Sequence, residues 1–99
     1  MTINKTENNS KMHIFLEGRL DTMTAPQLEA EIKSNLGGVT ELIIDLAELT
    51  YISSAGLRVL LSAQKVMNKQ GNMIIRNVNQ DIMDIFEVTG FVDILNIEE

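Results

Sequence analysis

Ninety-nine residues with 14 acidic and 8 basic side chains, a net charge of -6 and no cysteine suit one compact domain, 1–99, whose field repels phosphate backbones. Nucleic acid is therefore excluded as an expected partner, and the lack of any thiol points to a reducing cytoplasm. The first ten residues lack the basic start and apolar stretch of a signal peptide, and no apolar run approaches the ~20 residues of a membrane span, so no membrane insertion is expected.

Residues 2–7 read as a weak strand, and Met12-His13-Ile14-Phe15-Leu16-Glu17-Gly18 as a stronger one, too short for a helix and ended by glycine. Thr24-Ala25-Pro26-Gln27 is a helix start, with threonine as cap, proline in the first turn and glutamine at the capping-box position. Met23 and Leu28 occupy hydrophobic-staple positions. Leu28, Ile32 and Leu36 form one apolar stripe, and Gly37-Gly38 ends the helix.

Glu41-Leu42-Ile43-Ile44-Asp45-Leu46 is the run expected of a central strand covered on both faces. A helix over 54–69 stops near Gly71 and is followed by a strand at 72–76. A short helix then opens at an Asn79 cap, turns Ile82, Ile85 and Phe86 inward and ends at Gly90. Ile94-Leu95-Asn96-Ile97 completes the order as an edge strand. The resulting β-β-α-β-α-β-α-β pattern predicts an α/β fold with helices packed on a mixed sheet.

Catalytic chemistry finds little support in these residues. His13, the single histidine, lies in a predicted strand and reads as a surface or edge residue rather than the base of a Ser-His-Asp set. The acids, among them positions 17, 21, 45, 48 and 84, form no calcium loop and read as a solvated surface, so no metal is expected. Gly37-Gly38 lacks the lysine and hydroxyl residue of a phosphate loop, so no nucleotide cofactor is expected. The six methionines are scattered and suit core filling.

One segment stands out, from Asp45 to Arg58, where a buried strand passes through a short loop into a helix that begins with Ser53 and Ser54. Either serine can cap the first turn by accepting from its unpaired N–H groups. At 100° per residue, Gly56, Val59, Leu60, Ala63, Val66 and Met67 share an arc of about 120° that would face the core, with Gly56 allowing close approach to the sheet. Leu57 and Leu61 then fall on the opposite side with Ser54, Arg58, Lys65 and Asn68. Two leucines beside a hydroxyl and two cations suit a docking face.

This stretch, together with Gly18-Arg19-Leu20-Asp21 leading into Ala25-Pro26-Gln27-Leu28, resembles the STAS domain family, in particular the bacterial anti-sigma factor antagonists. The likeness spans nearly the whole chain, and the joint presence of both signatures at this separation is what makes it specific. It implies helices on one side of a mixed β-sheet, no catalytic activity, and a role in transcription regulation and stress response by partner switching. The implied partners are an anti-sigma factor that is also a serine kinase of the histidine-kinase-like ATPase type, and a PP2C-type phosphatase.

The resemblance places the phosphoacceptor on Ser54, two residues before the glycine of a D-S-x-G pattern. Ser53 replaces the aspartate of that pattern and is a second candidate acceptor. Asp21 matches an acid near the acceptor loop, for which a plain turn-forming role is the alternative. The expected partner-binding set is Asp21, Ser53, Ser54, Leu57, Arg58, Leu61 and Lys65. A different reading of the same likeness is a STAS subunit that stabilises the cytoplasmic ATPase of a lipid ABC transporter, with the helix as a permanent docking face.

Overall fold

Apolar alternation in the strands decides which side of the sheet carries the helices. In the computed structural model, which describes residues 1–98, the chain forms β1 (Thr2–Asn8), β2 (Lys11–Leu20), α1 (Ala25–Asn35), β3 (Glu41–Ile52), α2 (Ser54–Gln70), β4 (Asn72–Arg76) and α3 (Gln80–Thr89), then a single 3-10 turn at Phe91–Asp93. The sheet order is β1-β2-β3-β4, with β1 antiparallel to β2 and the other two pairings parallel. Met12, Ile14 and Leu16 of β2, Leu42, Ile44 and Leu46 of β3 and Met73 and Ile75 of β4 are buried in one cluster with Leu28 and Ile32 of α1, Leu60, Ala63 and Met67 of α2, and Ile82 and Phe86 of α3. All three helices therefore pack on one face, as expected.

The opposite face carries His13, Phe15, Ile43, Asp45, Ile74 and Arg76, which register across the strands in the rows His13-Ile43-Ile74 and Phe15-Asp45-Arg76. β3 is the central, covered strand expected, interior to the sheet and buried on both faces; helices cover one face only, and on the other Ile43 and Asp45 are buried because cross-strand neighbours flank them. Asp45 is likewise no part of a solvated acidic surface. Its carboxylate accepts from the Ala47 N–H and from Asn77 Nδ2, both at 2.9 Å, tying β3 to the loop after β4.

Two strands run longer than the sequence suggests. β3 continues to Ile52 and β2 to Leu20, with register shifts between Phe15 and Glu17 and between Gly18 and Arg19. Each shift adds a residue to β3, so its buried side chains fall at Leu46, Leu49 and Ile52 rather than at alternate positions. The segment read as a loop is thus strand, and Ser53 alone joins β3 to α2. Gly18, at φ +102°, absorbs the second irregularity.

α2 sits against the sheet at Gly56, where an added Cβ would lie 2.7 Å from Leu20 Cγ and 2.9 Å from Ile52 Cγ1. Its buried residues are Gly56, Leu57, Val59, Leu60, Ala63, Gln64 and Met67. This corrects the expected helix phase: Leu57 is 4% exposed and belongs to the core, whereas Val66 is 41% exposed. The reason is that α2 lies over both β3 and β4, so the sheet covers a wider arc on the Leu57 and Gln64 side. Gly71 ends the helix in extended backbone, and a Cβ there would run into the Thr40 carbonyl.

α3 matches its sequence signals. Asn79 accepts from the Ile82 N–H at 2.9 Å and also donates to the Leu49 carbonyl, and Gly90 closes the helix in the left-handed conformation. Ile85 is only partly buried. The expected strand at 94–97 is absent from the described residues. Leu95 plugs the core, and a single bridge joins Ile97 to Ile75, held by the Ile75 N–H donating to Asn96 and the Glu98 N–H donating to Ile75. Arg76 donates two bonds of 3.1 Å to the Glu98 carboxylate.

His13 is half-buried on an interior strand, not an edge, and stacks on Phe15 with ring centroids 4.0 Å apart. Its Nε2 is buried without a hydrogen-bond partner, 3.9 Å from Asp45 Oδ2. Burial first, then the charges of Arg76 and Lys11, pull its pKa below the ordinary value, against the opposing pull of Asp45. Unfolding exposes an imidazole that takes up a proton more readily, so the stability it gives above the ordinary histidine range is lost as pH falls through that range.

Melting temperature should accordingly fall between pH 7 and pH 5, and less steeply in His13→Gln; identical slopes would remove this account of His13. Leu57→Ala and Leu60→Ala should each cost about 2–5 kcal/mol in a denaturant titration, and Val66→Ala within about 0.5 kcal/mol. A small loss at Leu57 with a large one at Val66 would restore the sequence-derived helix phase.

Candidate partner-binding site

The one-residue junction between β3 and α2 sets two neighbouring serines in opposite environments. Ser53 holds the N-cap position with extended backbone, and its N–H donates to the Leu20 carbonyl at 2.9 Å, pinning the junction to the end of β2. Its side chain makes no capping bond, and its Oγ is buried without a partner. Ser54 is the first residue of α2 and is exposed. Neither hydroxyl caps the helix, which corrects the capping expectation and leaves the first-turn N–H groups without a side-chain acceptor. The net positive end of the helix dipole is thus open beside Ser54.

Asp21 shapes the adjoining turn. Its Oδ1 accepts from the Met23 N–H at 3.0 Å and the Thr24 N–H at 3.1 Å, while Thr24 Oγ1 accepts from the Asp21 N–H at 2.9 Å and donates to the Arg19 carbonyl at 2.8 Å. Desolvation opposes its ionisation, but those N–H groups, the Thr24 hydroxyl and Arg19 together hold its carboxyl below the usual range. This is the turn-forming alternative for Asp21. Thr24 is occupied by this turn and does not cap α1 with its side chain. Met23 is no staple either: it stands 87% exposed, on a loop fixed by four bonds. Arg19 lies over the Tyr51 ring, 4.2 Å from its centroid, and 3.6 Å from Asp21 Oδ2.

Of the α2 residues expected at the site, Ser54, Arg58 and Lys65 are exposed on one face and Leu61 is half-buried at its margin. Leu57 is not available there, because it is a core residue. Sequence reasoning passed over Lys69, which shares an arc of about 40° with Arg58 and Lys65 at 100° per residue. The signal was readable: α2 contains three cations and no acid in a chain of net charge -6. Among the described residues none of the three cations forms an ion pair. No group of three or more potential metal ligands occurs among the described residues, and no helix there is long and apolar enough to cross a membrane.

Known proteins share this fold. The STAS domain matches residues 2–99. BtrV of Bordetella bronchiseptica is 38% identical over 81 residues, covering 80% of this chain and 70% of BtrV. The anti-sigma-B factor antagonist of Listeria monocytogenes is 31% identical, covering 95% of this chain and 84% of that protein. The fold superposes on the anti-sigma factor antagonist SpoIIAA in its unphosphorylated form with a TM-score of 0.78, and on Bacillus SpoIIAA in its phosphorylated form with 0.77, each at 20% identity. These cover 99% of this chain and 88% and 92% of those chains. With the matched domain spanning the sheet, all three helices and the Ser53-Ser54 junction, the chain belongs to the STAS domain family.

Proposed function

We propose that this protein is a cytoplasmic anti-sigma factor antagonist, a regulatory binding protein and not an enzyme, whose partner is switched by phosphorylation of Ser54. The observation that carries the proposal is the contrast at the junction: the Ser54 hydroxyl is exposed at the start of α2, and the Ser53 hydroxyl is buried. A kinase reaches the first without disturbing the fold and reaches the second only by opening the junction. The relatives named as antagonists, and the existence of SpoIIAA in a phosphorylated form, support this assignment.

In this reading the unmodified protein holds an anti-sigma factor of the histidine-kinase-like ATPase type, which leaves the sigma factor free. That kinase transfers a phosphoryl group to Ser54 Oγ, and a PP2C-type phosphatase removes it. The added charge of about -1.5 to -2 is tolerated at a helix N-terminus with free N–H groups. It nevertheless offsets much of the positive face formed by Arg58, Lys65 and Lys69 and alters what that face attracts. Asp21 serves the switch by fixing the loop beside it.

Incubation with the kinase and ATP, followed by mass-spectrometric localisation, should place phosphate on Ser54. Ser54→Ala should abolish incorporation yet fold within about 0.5 kcal/mol of the parent, because its hydroxyl is not a cap. Undiminished labelling of Ser54→Ala that disappears in Ser53→Ala would overturn the assignment.

A further inference from the structure

The burial of Leu57 leaves the exposed face of α2 almost wholly polar, so the apolar part of any partner contact has to come from beside it. A groove of about 300 Å³ runs between α1 and α2, with Ile32, Leu36, Val59 and Val66 in its lining and Glu29 and Lys33 on its α1 rim. It continues into a second hollow of about 330 Å³ that shares Glu29, Val59 and Ser62 and reaches Thr22, Ala55 and Arg58. The groove therefore opens at Ala55, next to Ser54, under the loop that presents Met23. Its α2 rim is formed by Ser62 and Gln70, with Arg58 at the end nearest Ser54; Lys65 and Lys69 stand on the adjoining outer face of the helix.

We propose that this groove, together with the exposed Met23 that follows Thr22 on the adjoining loop, takes an apolar segment of the anti-sigma factor whose flanks are acidic. The inference rests on the proposed antagonist role and extends it to the partner's chemistry. Continuity with the Ser54 surface gives the groove its place in the interface, and three unpaired cations in an otherwise acidic chain give the charge of the occupant. Met23 adds an anchor that is 87% exposed yet held on a braced loop, so little conformational freedom is lost when it is covered. Phosphate on Ser54 then acts on both components, repelling the acidic flank and hydrating the mouth of the apolar channel.

Calorimetric titration against each purified anti-sigma factor kinase of the same genome tests this. Val66→Asp and Met23→Asp should each weaken binding at least tenfold, as should Lys69→Glu. Val88→Asp, which changes an exposed valine on α3 that lines neither hollow, should bind like the parent, and all four should keep the parent's melting temperature within a few degrees. Parent-like binding by the Val66, Met23 and Lys69 variants, with binding still lost on Ser54 phosphorylation, would overturn the groove and leave the antagonist role standing. Failure of the unmodified parent to bind any such kinase would remove that role and the groove with it. Self-association of the parent that Val66→Asp abolishes, without effect on kinase binding, would assign the groove to a second copy and overturn the proposal.

Discussion

The seating of α2 on the sheet depends on position 56 having no side chain. A Cβ there would press on Leu20 and Ile52, the last residues of the two central strands, so glycine fixes both the height and the starting point of the helix. Because the strands and the helix meet through Ser53 alone, that contact also decides which serine faces water. The Ser53 N–H bond to Leu20 completes the joint. A looser junction would let either hydroxyl reach solvent and would blur the distinction between them.

From that joint follows a separation of roles around α2. One side, Leu57, Leu60, Ala63 and Met67, is spent on the core. The outer side carries Ser54, Arg58, Lys65 and Lys69, and the α1 side leaves Val59 and Val66 lining an open groove. The fold can accept charge on the outer side, since none of its stabilising apolar contacts is there. That is the physical condition for a modification that changes binding and leaves the structure intact.

Elements governed by local chemistry were legible in the sequence. The Leu28-Ile32-Leu36 stripe, the Asn79 cap, the Gly90 stop and the close approach at Gly56 all appear as their residue types require. Long-range geometry was not legible. The two register shifts against β2 turned the end of β3 out of period-two alternation and disguised it as a loop. The breadth of sheet beneath α2, set by where β4 lies, drew Leu57 inward and left Val66 outside. Met23 fits a staple by spacing, but the bonds of Asp21 to the loop turn it outward. At the site, the Ser54 position and the cations could be read directly, whereas the groove exists only once α1 and α2 are packed side by side.

The central claim is that one phosphate changes affinity without changing the fold. Calorimetric titration of unmodified and Ser54-phosphorylated protein against the anti-sigma factor kinase, with circular dichroism of both free forms, tests it most directly. The account predicts at least a tenfold loss of affinity, about 1.4 kcal/mol, with superimposable spectra. Equal affinity of the two forms would contradict it and would point instead to α2 as a permanent docking face.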